Sequence, residues 1–198
     1  MQRILIGTNN HAKVERWQQT LGMYAIVTPA QLGLIVNVKE GMISVIENSQ
    51  TKAKMYAKAS GLVTISQDDA FYIDALGGLP GIAVRRWGGA LPDNVSDEDW
   101  LAYFRSKIAH LDNLRGHFEI AVSVANPHGD VKTRTYTRPG TIDPSKLDAP
   151  HSQGYPISAS FVRDGINKTW HEMNLEEQMQ YNADMTIYVK DAITALTR

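Results

Sequence analysis

The chain contains no cysteine among its 198 residues. This absence excludes disulfides, cysteine-ligated zinc, iron–sulfur clusters and thiol catalysis. The sequence also has no apolar run that approaches the roughly 18 residues of a membrane-spanning helix, and its first residues lack the basic start and apolar core of a signal peptide. We therefore expect a cytoplasmic protein without a membrane partner.

An excess of charge of one sign is absent as well. Twenty basic and 21 acidic residues give a formal net charge of -1, and no run of lysine and arginine occurs. Proteins that bind DNA or RNA usually carry a basic stripe, so we expect no nucleic-acid partner. Hydrophobic residues make up 43% and charged residues 21% of the chain, as in ordinary globular proteins. The length predicts a single domain over residues 1–198.

Short strands alternate with amphipathic helices along the chain. The apolar spacing predicts strands over residues 3–7 and 62–66, helices over 10–22, 45–59 and 96–111, a hairpin of 118–125 with 131–136, and a final helix over 175–196. Helices that alternate with strands, together with one hairpin, predict an α/β fold with a mixed twisted sheet flanked by helices.

A polar loop follows the first predicted strand and contains Thr8, Asn10 and Lys13. Ligands of α/β sheets bind at the carboxyl ends of the strands, where this loop lies. The amino end of a helix carries roughly +0.5 of an elementary charge, so a lysine in the first turn is unfavourable unless an anion is present. The loop therefore predicts an anion site, although an ordinary N-cap and a solvated lysine would give the same pattern. The glycine patterns of P-loops and dinucleotide-binding folds are absent.

Two adjacent carboxylates, Asp68 and Asp69, come after the predicted strand 62–66. Adjacent carboxylates repel each other unless a cation or a shared proton relieves them. Magnesium typically binds one or two carboxylates together with phosphate oxygens and water, so a Mg²⁺ site is one interpretation. A simple turn is the other.

Three further charged residues and the histidines give weaker signals. An acid before a helix, such as Glu40, is usually solvated, and Lys52 and Lys54 on the predicted helix 45–59 have the ordinary explanation of a solvated face. The six histidines are scattered without metal-ligand spacing. These residues alone establish no site.

Taken in chain order, these groups resemble the inosine triphosphate pyrophosphatase family, which hydrolyses noncanonical purine nucleoside triphosphates to monophosphates and pyrophosphate. The matching segments are Thr8-x-Asn10-x-x-Lys13, Glu40, Glu47-Asn48, Lys52-Ala53, Asp68, the turn Leu76-Gly77-Gly78-Leu79-Pro80-Gly81 and Arg86. Weaker matches at residues 138–142, 154–155 and 168–173 extend the resemblance over nearly the whole chain.

The resemblance implies a role for each matching residue. Thr8, Asn10, Lys13 and Lys52 would hold phosphates, while Glu40 and Asp68 would bind Mg²⁺ directly or through water. Asp68 would also orient or deprotonate the attacking water, which is a carboxylate's usual part in phosphoryl transfer. The same resemblance implies two lobes around a central nucleotide-binding cleft, and a homodimer.

Several positions depart from the family pattern. Gln67 replaces an acid, and Asp69 replaces a serine. The family's Phe-Gly-Tyr-Asp-Pro loop becomes Gln153-Gly154-Tyr155-Pro156-Ile157, its lysine becomes Gln178, and its Ser-His-Arg signature becomes Asn182-Ala183-Asp184. Tyr155, Gln153 and Gln178 are therefore the candidate base-pocket residues. The residues at the family's phosphate-binding positions are thus retained, whereas those at its base-binding positions differ.

A polar pocket without hydrogen-bond donors for an exocyclic oxygen of the base no longer selects bases that carry this oxygen. Inosine and xanthosine triphosphate are therefore expected to be poorer substrates. Three hypotheses remain open. The first is an active nucleotide pyrophosphatase with an altered base preference. The second is a nucleotide-binding paralogue without catalysis, because of Gln67 and Asp69. The third is a structural or interaction protein that keeps only the fold.

Overall fold

The computed structural model describes residues 1–38, 41, 44–92 and 94–197. Contacts between Cα atoms divide the chain into two compact units. The first unit comprises Met1–Asp68, Ile120–Thr135 and Met179–Arg198, and the second comprises Asp69–Glu119 and Tyr136–Gln178. The chain passes between the two units four times, so neither is a continuous segment.

Seven strands of the described residues form a mixed sheet. They are β1 (Arg3–Ile6), β2 (Ala25–Val27), β3 (Thr64–Ile73), β4 (Pro80–Gly81), β5 (Arg115–Ala125), β6 (Val131–Ile142) and β7 (Phe161–Arg163). The strand order is β2-β1-β3-β5-β6-β7, and β4 pairs with β3. β1 is parallel to β2 and β3, whereas β4 is antiparallel to β3 and β7 is antiparallel to β6.

Five α-helices accompany the sheet in the described part of the chain. They are α1 (His11–Thr20), α2 (Val45–Ser60), α3 (Asp97–Ile108), α4 (Leu175–Tyr181) and α5 (Ala183–Leu196). The α/β fold with a mixed sheet and flanking helices, predicted from the sequence, is confirmed. Across the described residues, no helix is both long enough and apolar enough to cross a lipid bilayer.

The first three helices of the described residues each begin at a residue whose side chain caps the helix. The side chains of Asn10, Ser44 and Ser96 accept hydrogen bonds from backbone N–H groups in the first turns of α1, α2 and α3. Such caps replace partners that the first N–H groups of a helix lack. Gly61 ends α2 with a φ of 69°, a left-handed conformation that favours glycine.

The core of the first unit forms around β1 and α2. Ile4, Leu5 and Ile6 are almost fully buried, as expected for a parallel strand that is covered on both faces. Ala53 and Ala57 of α2 form a buried cluster with Ala125 of β5. Their small side chains let the helix backbone approach the strand closely.

The second unit has an aromatic core. The rings of Phe71, Phe118 and Phe161 contact one another with centroids 4.5 to 5.5 Å apart, and the Phe71–Phe161 and Phe118–Phe161 pairs meet edge to face. Trp100 and Phe104 stack on α3 with centroids 5.0 Å apart. Edge-to-face and offset contacts are the favoured aromatic geometries, so this packing fixes the faces of β3, β5 and β7 in this unit.

Two element boundaries differ from the sequence predictions. β3 continues through Asp68 and Asp69 to Ile73, so the prediction that these acids follow the strand is wrong. Strand pairing overrides the low strand propensity of aspartate here. The predicted helix 175–196 is interrupted at Asn182, whose φ of -99° and ψ of 5° leave the helical region. Asparagine favours cap positions over helix interiors, which explains the break.

Candidate active site

Gly7 brings the end of β1 close to β3. A Cβ atom at Gly7 would lie 2.6 Å from Ser66 Oγ and 2.9 Å from Thr64 Cγ2, and real Cβ atoms do not approach so closely. Ser66 Oγ donates a hydrogen bond of 3.1 Å to the carbonyl of Gly7, and the N–H of Gly7 donates to the carbonyl of Ile65. Because Gly7 has no side chain, the end of β1 can lie this close to β3, and the polar loop leaves the sheet from here.

The loop after Gly7 is ordered by its own side chains. Thr8 Oγ1 accepts a hydrogen bond from the N–H of Asn10 (3.1 Å), and Asn10 Oδ1 accepts one from the N–H of Lys13 (3.2 Å). Asn10 is therefore the N-cap that the sequence also suggested. Lys13 does not extend freely into solvent, because its Nζ donates to the carbonyl of Gln67 at 3.3 Å. This contact brings the first turn of α1 to the residue before Asp68.

Asp68 and Lys52 form a buried ion pair. Lys52 Nζ lies 2.6 Å from Asp68 Oδ1, and the two side chains are only 11% and 10% exposed. The solvated-face interpretation of Lys52 is therefore wrong, whereas Lys54, two residues along, is exposed. The sequence could not distinguish the two lysines, because α2 carries small alanines on several faces and its buried side is decided by packing.

Asn48 is a site residue to which sequence reasoning gave no role. Its Nδ2 donates to Asp68 Oδ2 at 3.0 Å and to the carbonyl of Gly41 at 3.0 Å, while its Oδ1 accepts from the N–H of Gly41 at 2.8 Å. Asn48 and Lys52 are four residues apart on α2, so they project from one helix face. That spacing was the signal that could have identified Asn48.

Burial and charge act against each other at Asp68. Burial raises the pKa of the Asp68 carboxyl above its ordinary value of 3.8, while the nearby Lys52 and Lys13 ammonium groups and the Asn48 amide favour the ionised form. A carboxyl whose pKa lies above its usual range is a better proton acceptor than an ordinary aspartate. The site thus combines a carboxylate with two cations in the first unit.

A chain of hydroxyl groups holds α2 in place beside this pair. Gln50 Nε2 donates to Thr133 Oγ1 (3.1 Å), the hydroxyls of Thr133 and Ser123 lie 2.8 Å apart, and those of Ser123 and Ser49 lie 2.8 Å apart. Ser49 Oγ donates in turn to the carbonyl of Ile46. Since each hydroxyl has one proton, all of these bonds run in one direction. The chain fixes the rotation of α2, and hence the directions of Asn48 and Lys52.

The candidate base-pocket residues lie in the second unit. Gln153 is exposed, and the ring of Tyr155 packs against Phe118 with centroids 5.8 Å apart. Gln178 Nε2 donates to the carbonyls of Trp170 (3.0 Å) and Met173 (3.4 Å). The amide donors of Gln178 therefore support the backbone at residues 170–173. A role for these three residues in base binding stays a prediction.

Glu40, the second predicted metal ligand, lies outside the described residues. Within the ranges that the structure does describe, no group of three or more histidine, aspartate or glutamate side chains could hold a metal ion. Asp69 does not complete such a group with Asp68, because successive side chains of a strand point to opposite faces. The interpretation of Asp68 and Asp69 as paired ligands is therefore not supported.

The first unit thus presents an α/β sheet edge with a polar loop, a capped helix and a buried lysine–carboxylate pair. These features define the class as an α/β fold with polar and charged side chains gathered at the carboxyl end of the first strand, where the ligands of such sheets bind. Comparison of the sequence with family models identifies the family. The chain belongs to the Ham1 family, whose model matches residues 4–183.

Curated relatives carry names that agree with this assignment. The chain is 28% identical over 185 residues to a protein of Thermus thermophilus named dITP/XTP pyrophosphatase, a match that covers 91% of this chain and 85% of the relative. It is 25% identical to a Staphylococcus aureus protein of the same name, over 91% of this chain and 89% of the relative. The family resemblance stated from the sequence is confirmed.

Solved structures support the fold. The Ham1 protein of Staphylococcus aureus superposes with a TM-score of 0.72 at 23% identity, covering 96% of this chain and 99% of that one. A HAM1 protein from Coxiella burnetii gives a TM-score of 0.73 at 18% identity, covering 97% of this chain and all of that one. At these identities the likeness concerns the fold alone.

Proposed function

We propose that this chain hydrolyses nucleoside triphosphates with noncanonical purine bases to the monophosphate and pyrophosphate. The observation that carries the proposal is the buried Lys52–Asp68 pair, 2.6 Å apart, with Lys13 bound to the carbonyl of the preceding residue. A carboxylate between two lysines can accept a proton from water while the lysines attract a polyanion. The names of the curated relatives support the substrate class.

Phosphate binding is assigned to the loop after β1 and to α2. Thr8, Asn10 and Lys13 lie at the amino end of α1, where the helix dipole favours an anion. Lys52 has three donors on its Nζ, so it can keep its bond to Asp68 and still donate to a phosphate oxygen. Together these groups neutralise charge on the triphosphate and on the departing pyrophosphate.

Asp68 is assigned the role of general base. A water molecule adds its oxygen to phosphorus at the α–β anhydride, the bond from that phosphorus to the bridging oxygen breaks, and the departing group takes the electron pair. The proton of the water passes to an oxygen of the Asp68 carboxylate, which is buried away from bulk water. General bases of this kind contribute rate factors of about 10² to 10⁴. Asn48 holds the second carboxylate oxygen and so orients the base.

Magnesium is the proposed cofactor, and Ham1-family pyrophosphatases generally use a divalent metal. A carboxylate has about four acceptor positions, so Asp68 can bind Lys52, Asn48 and a cation together. Hard oxygen ligands with phosphate nearby suit Mg²⁺, so this residue fits the ion, and Glu40 is proposed as its second ligand. When bound, the ion would polarise phosphate oxygens and lower the barrier by charge neutralisation.

The decisive experiment measures pyrophosphate release. The purified protein is incubated with Mg²⁺ and a panel of dITP, XTP, ITP, dATP and dGTP, and Asp68→Asn is compared with Asp69→Asn. We expect turnover by the wild type, a loss of at least about 10² in kcat for Asp68→Asn, and activity near the wild type for Asp69→Asn. An active Asp68→Asn variant would show that another group is the base.

The same panel separates the alternatives. Calorimetric binding of nucleotides without turnover would favour a nucleotide-binding paralogue, to which the replaced residues Gln67 and Asp69 point. Neither binding nor turnover would favour a protein that keeps only the fold. Omitting Mg²⁺, or replacing it with other divalent ions, tests the cofactor in the same assay.

Three further proposals accompany this function. We propose a homodimer, to be tested by sedimentation equilibrium, and a cytoplasmic location, to be tested by cell fractionation. We also propose that residues 1–198 unfold as a single domain. One cooperative transition, seen at the same denaturant concentration by fluorescence and by circular dichroism, is the expected result for the last of these.

A further inference from the structure

The turn 152–155 in the second unit carries Gln153 and Tyr155 and is held at its base by its own residues. The N–H of Tyr155 donates to the carbonyl of Ser152 at 2.9 Å, and the N–H of Ser152 donates to Ser158 Oγ at 3.1 Å. Gly154 has a φ of 75° and is exposed at the tip. These bonds fix the ends of the turn but not the direction of its tip.

Asp97 holds the tip. Its Oδ2 accepts a hydrogen bond of 2.9 Å from the N–H of Gly154, although the two residues are 57 positions apart. The same oxygen lies 3.5 Å from His151 Nε2, at the start of this segment. A hydrogen bond from a backbone N–H to a carboxylate is stronger than one to a neutral acceptor. One carboxylate on α3 therefore contacts both the entry and the tip of the turn.

Arg85 fixes the other oxygen of Asp97. Arg85 Nη1 donates to Asp97 Oδ1, and its Nη2 donates to the carbonyl of Val95. The Asp97 side chain is only 20% exposed, so its contacts are partly shielded from solvent. Because the guanidinium group is planar and bonded at two points, it holds the carboxylate in one orientation. Arg85 thereby orients the Asp97 carboxylate, and the carboxylate in turn orients the N–H of Gly154.

We propose that Asp97 is a positioning residue for base recognition. Resting on the function proposed above, we assign Asp97 the task of orienting Gln153 and Tyr155 for contact with the nucleobase. The contacts of Asp97 described above are with Arg85, Gly154 and His151, none of which is a proposed phosphate-binding residue. Removal of the carboxylate charge weakens the binding of ligands that contain a base. It leaves the binding of inorganic pyrophosphate unchanged.

Asp97→Asn is the sharpest variant. The amide keeps the shape of the side chain but replaces one acceptor oxygen with an NH₂ group, which then faces a donor in either Arg85 or Gly154. Glu98→Gln is the matched control, because it removes the same charge from the same first turn of α3 and its side chain is exposed. Any effect of the helix dipole is therefore common to both variants.

The measurements are steady-state kinetics with dITP, and calorimetric titrations with dIMP and with pyrophosphate, all in Mg²⁺. For Asp97→Asn we expect the KM for dITP and the Kd for dIMP to rise about tenfold or more, which corresponds to the loss of one charge-assisted hydrogen bond. The kcat and the Kd for pyrophosphate should stay within about twofold of the wild type, a change of less than about 0.5 kcal/mol. Glu98→Gln should change none of these quantities.

Three results would overturn the inference. They are equal dIMP affinity in Asp97→Asn and Glu98→Gln, an equal loss for dIMP and pyrophosphate, or a fall in kcat without a change in KM. If the wild type binds dIMP but releases no pyrophosphate from dITP, the proposed hydrolysis fails and the titrations still decide the role of Asp97. If the wild type does not bind dIMP at all, the role assigned to Asp97 is wrong.

Discussion

Lys52 and Asp68 form a buried ion pair of 2.6 Å that joins the middle of α2 to the middle of β3. Pairs of this kind contribute little net stability when intact, because both charges lose their hydration. Breaking one is costly, however, since the remaining charge is then buried without its counter-charge. The pair therefore links the candidate chemistry of the site to the stability of the first unit.

Lys52→Met should destabilise the protein strongly. Loss of one partner of a buried pair costs roughly 3 to 5 kcal/mol, and we expect about 3 kcal/mol because Asn48 and Lys13 still favour the Asp68 carboxylate. Denaturant unfolding at pH 7 measures the change, with Lys54→Met, on the exposed part of α2, as the control. Near-equal stability of the two variants would contradict the structural role of the pair.

The same variant gives a prediction for pH. Burial already raises the folded-state pKa of Asp68 above 3.8, and loss of Lys52 raises it further. When a carboxyl has a higher pKa in the folded state than in the unfolded state, the protein loses stability as the pH rises above the pKa of the unfolded state. The destabilisation by Lys52→Met should therefore be smaller near pH 4 than at pH 7, and the additional change Asp68→Asn should restore much of the lost stability at pH 7.

Gly7→Ala should disturb the start of the polar loop after β1, to which phosphate binding is assigned in the proposed function. The added methyl would overlap Ser66 Oγ and the Thr64 side chain, and overpacking of this kind costs about 1 to 3 kcal/mol. We also expect a higher KM for the nucleotide, because the loop leaves the sheet at this residue. Gly22→Ala is the control, since no atom lies within 4 Å of a Cβ placed there. Wild-type stability and KM in Gly7→Ala would show that β1 and β3 separate easily.

The Glu172 carboxyl, in the second unit, should make the stability of the protein depend on pH in the acidic range. Lys146 and the N–H of Thr169 lower the pKa of the Glu172 carboxyl from 4.5 to about 2. A lowered folded-state pKa gives stability that is present above the unfolded value and is lost as the pH falls from about 4.5 toward 2. Glu172→Gln should therefore reduce the free energy of unfolding at pH 6 but much less at pH 3.

The size of that effect is limited by exposure. The Glu172 side chain is 43% exposed, so we expect a difference of less than about 1 kcal/mol. Urea unfolding at the two pH values measures it, and Glu176→Gln, an exposed acid in the first turn of α4, is the control. The same loss at pH 3 and pH 6 would mean that the ionised carboxyl is not what stabilises this segment.

Base discrimination should be weaker than in a site with intact hydrogen-bond donors for the base. Sites built to hydrogen-bond a substrate group reject analogues without it by about 10⁴ to 10⁵, and we expect the ratio of kcat/KM for dITP over dATP to lie below about 10² here. Gln178→Lys should raise this ratio about tenfold by adding a charged donor. Gln180→Lys, which adds the same charge to an exposed position of α4, should not. A ratio above 10⁴ in the wild type would show that other residues read the base.

Sequence periodicity predicted the elements that carry the proposed phosphate-binding residues. An N-cap in the loop before α1 was recognisable because capping depends on neighbouring residues only, and Asn10 is that cap. β3 was predicted too short, since its pairing with β1 and β5 is not visible in the local residues Gln67 to Asp69. The break at Asn182 was missed for a similar reason: the apolar spacing continues through it.

Which side chains belong to the candidate site depends on their burial and on their hydrogen-bond partners, and the sequence shows neither. Lys52 and Lys54 have the same local surroundings, yet one is buried against Asp68 and the other is exposed. Asn48 belongs to a segment that matches the family pattern, but its bonds to Asp68 and Gly41 depend on the packing of α2. Tyr155, Gln153 and Gln178 remain predictions, because base recognition depends on a ligand.

One of the four crossings of the chain between the two compact units lies between Asp68 and Asp69. Thr8, Asn10, Lys13, Lys52 and Asp68 all belong to the first unit, whereas Gln153, Tyr155 and Gln178 belong to the second. Under the function proposed above, mutations in the second unit can therefore alter substrate choice during evolution while the proposed phosphate-binding and catalytic residues stay unchanged. Such a division lets a lineage explore new nucleotides while selection preserves the reaction itself.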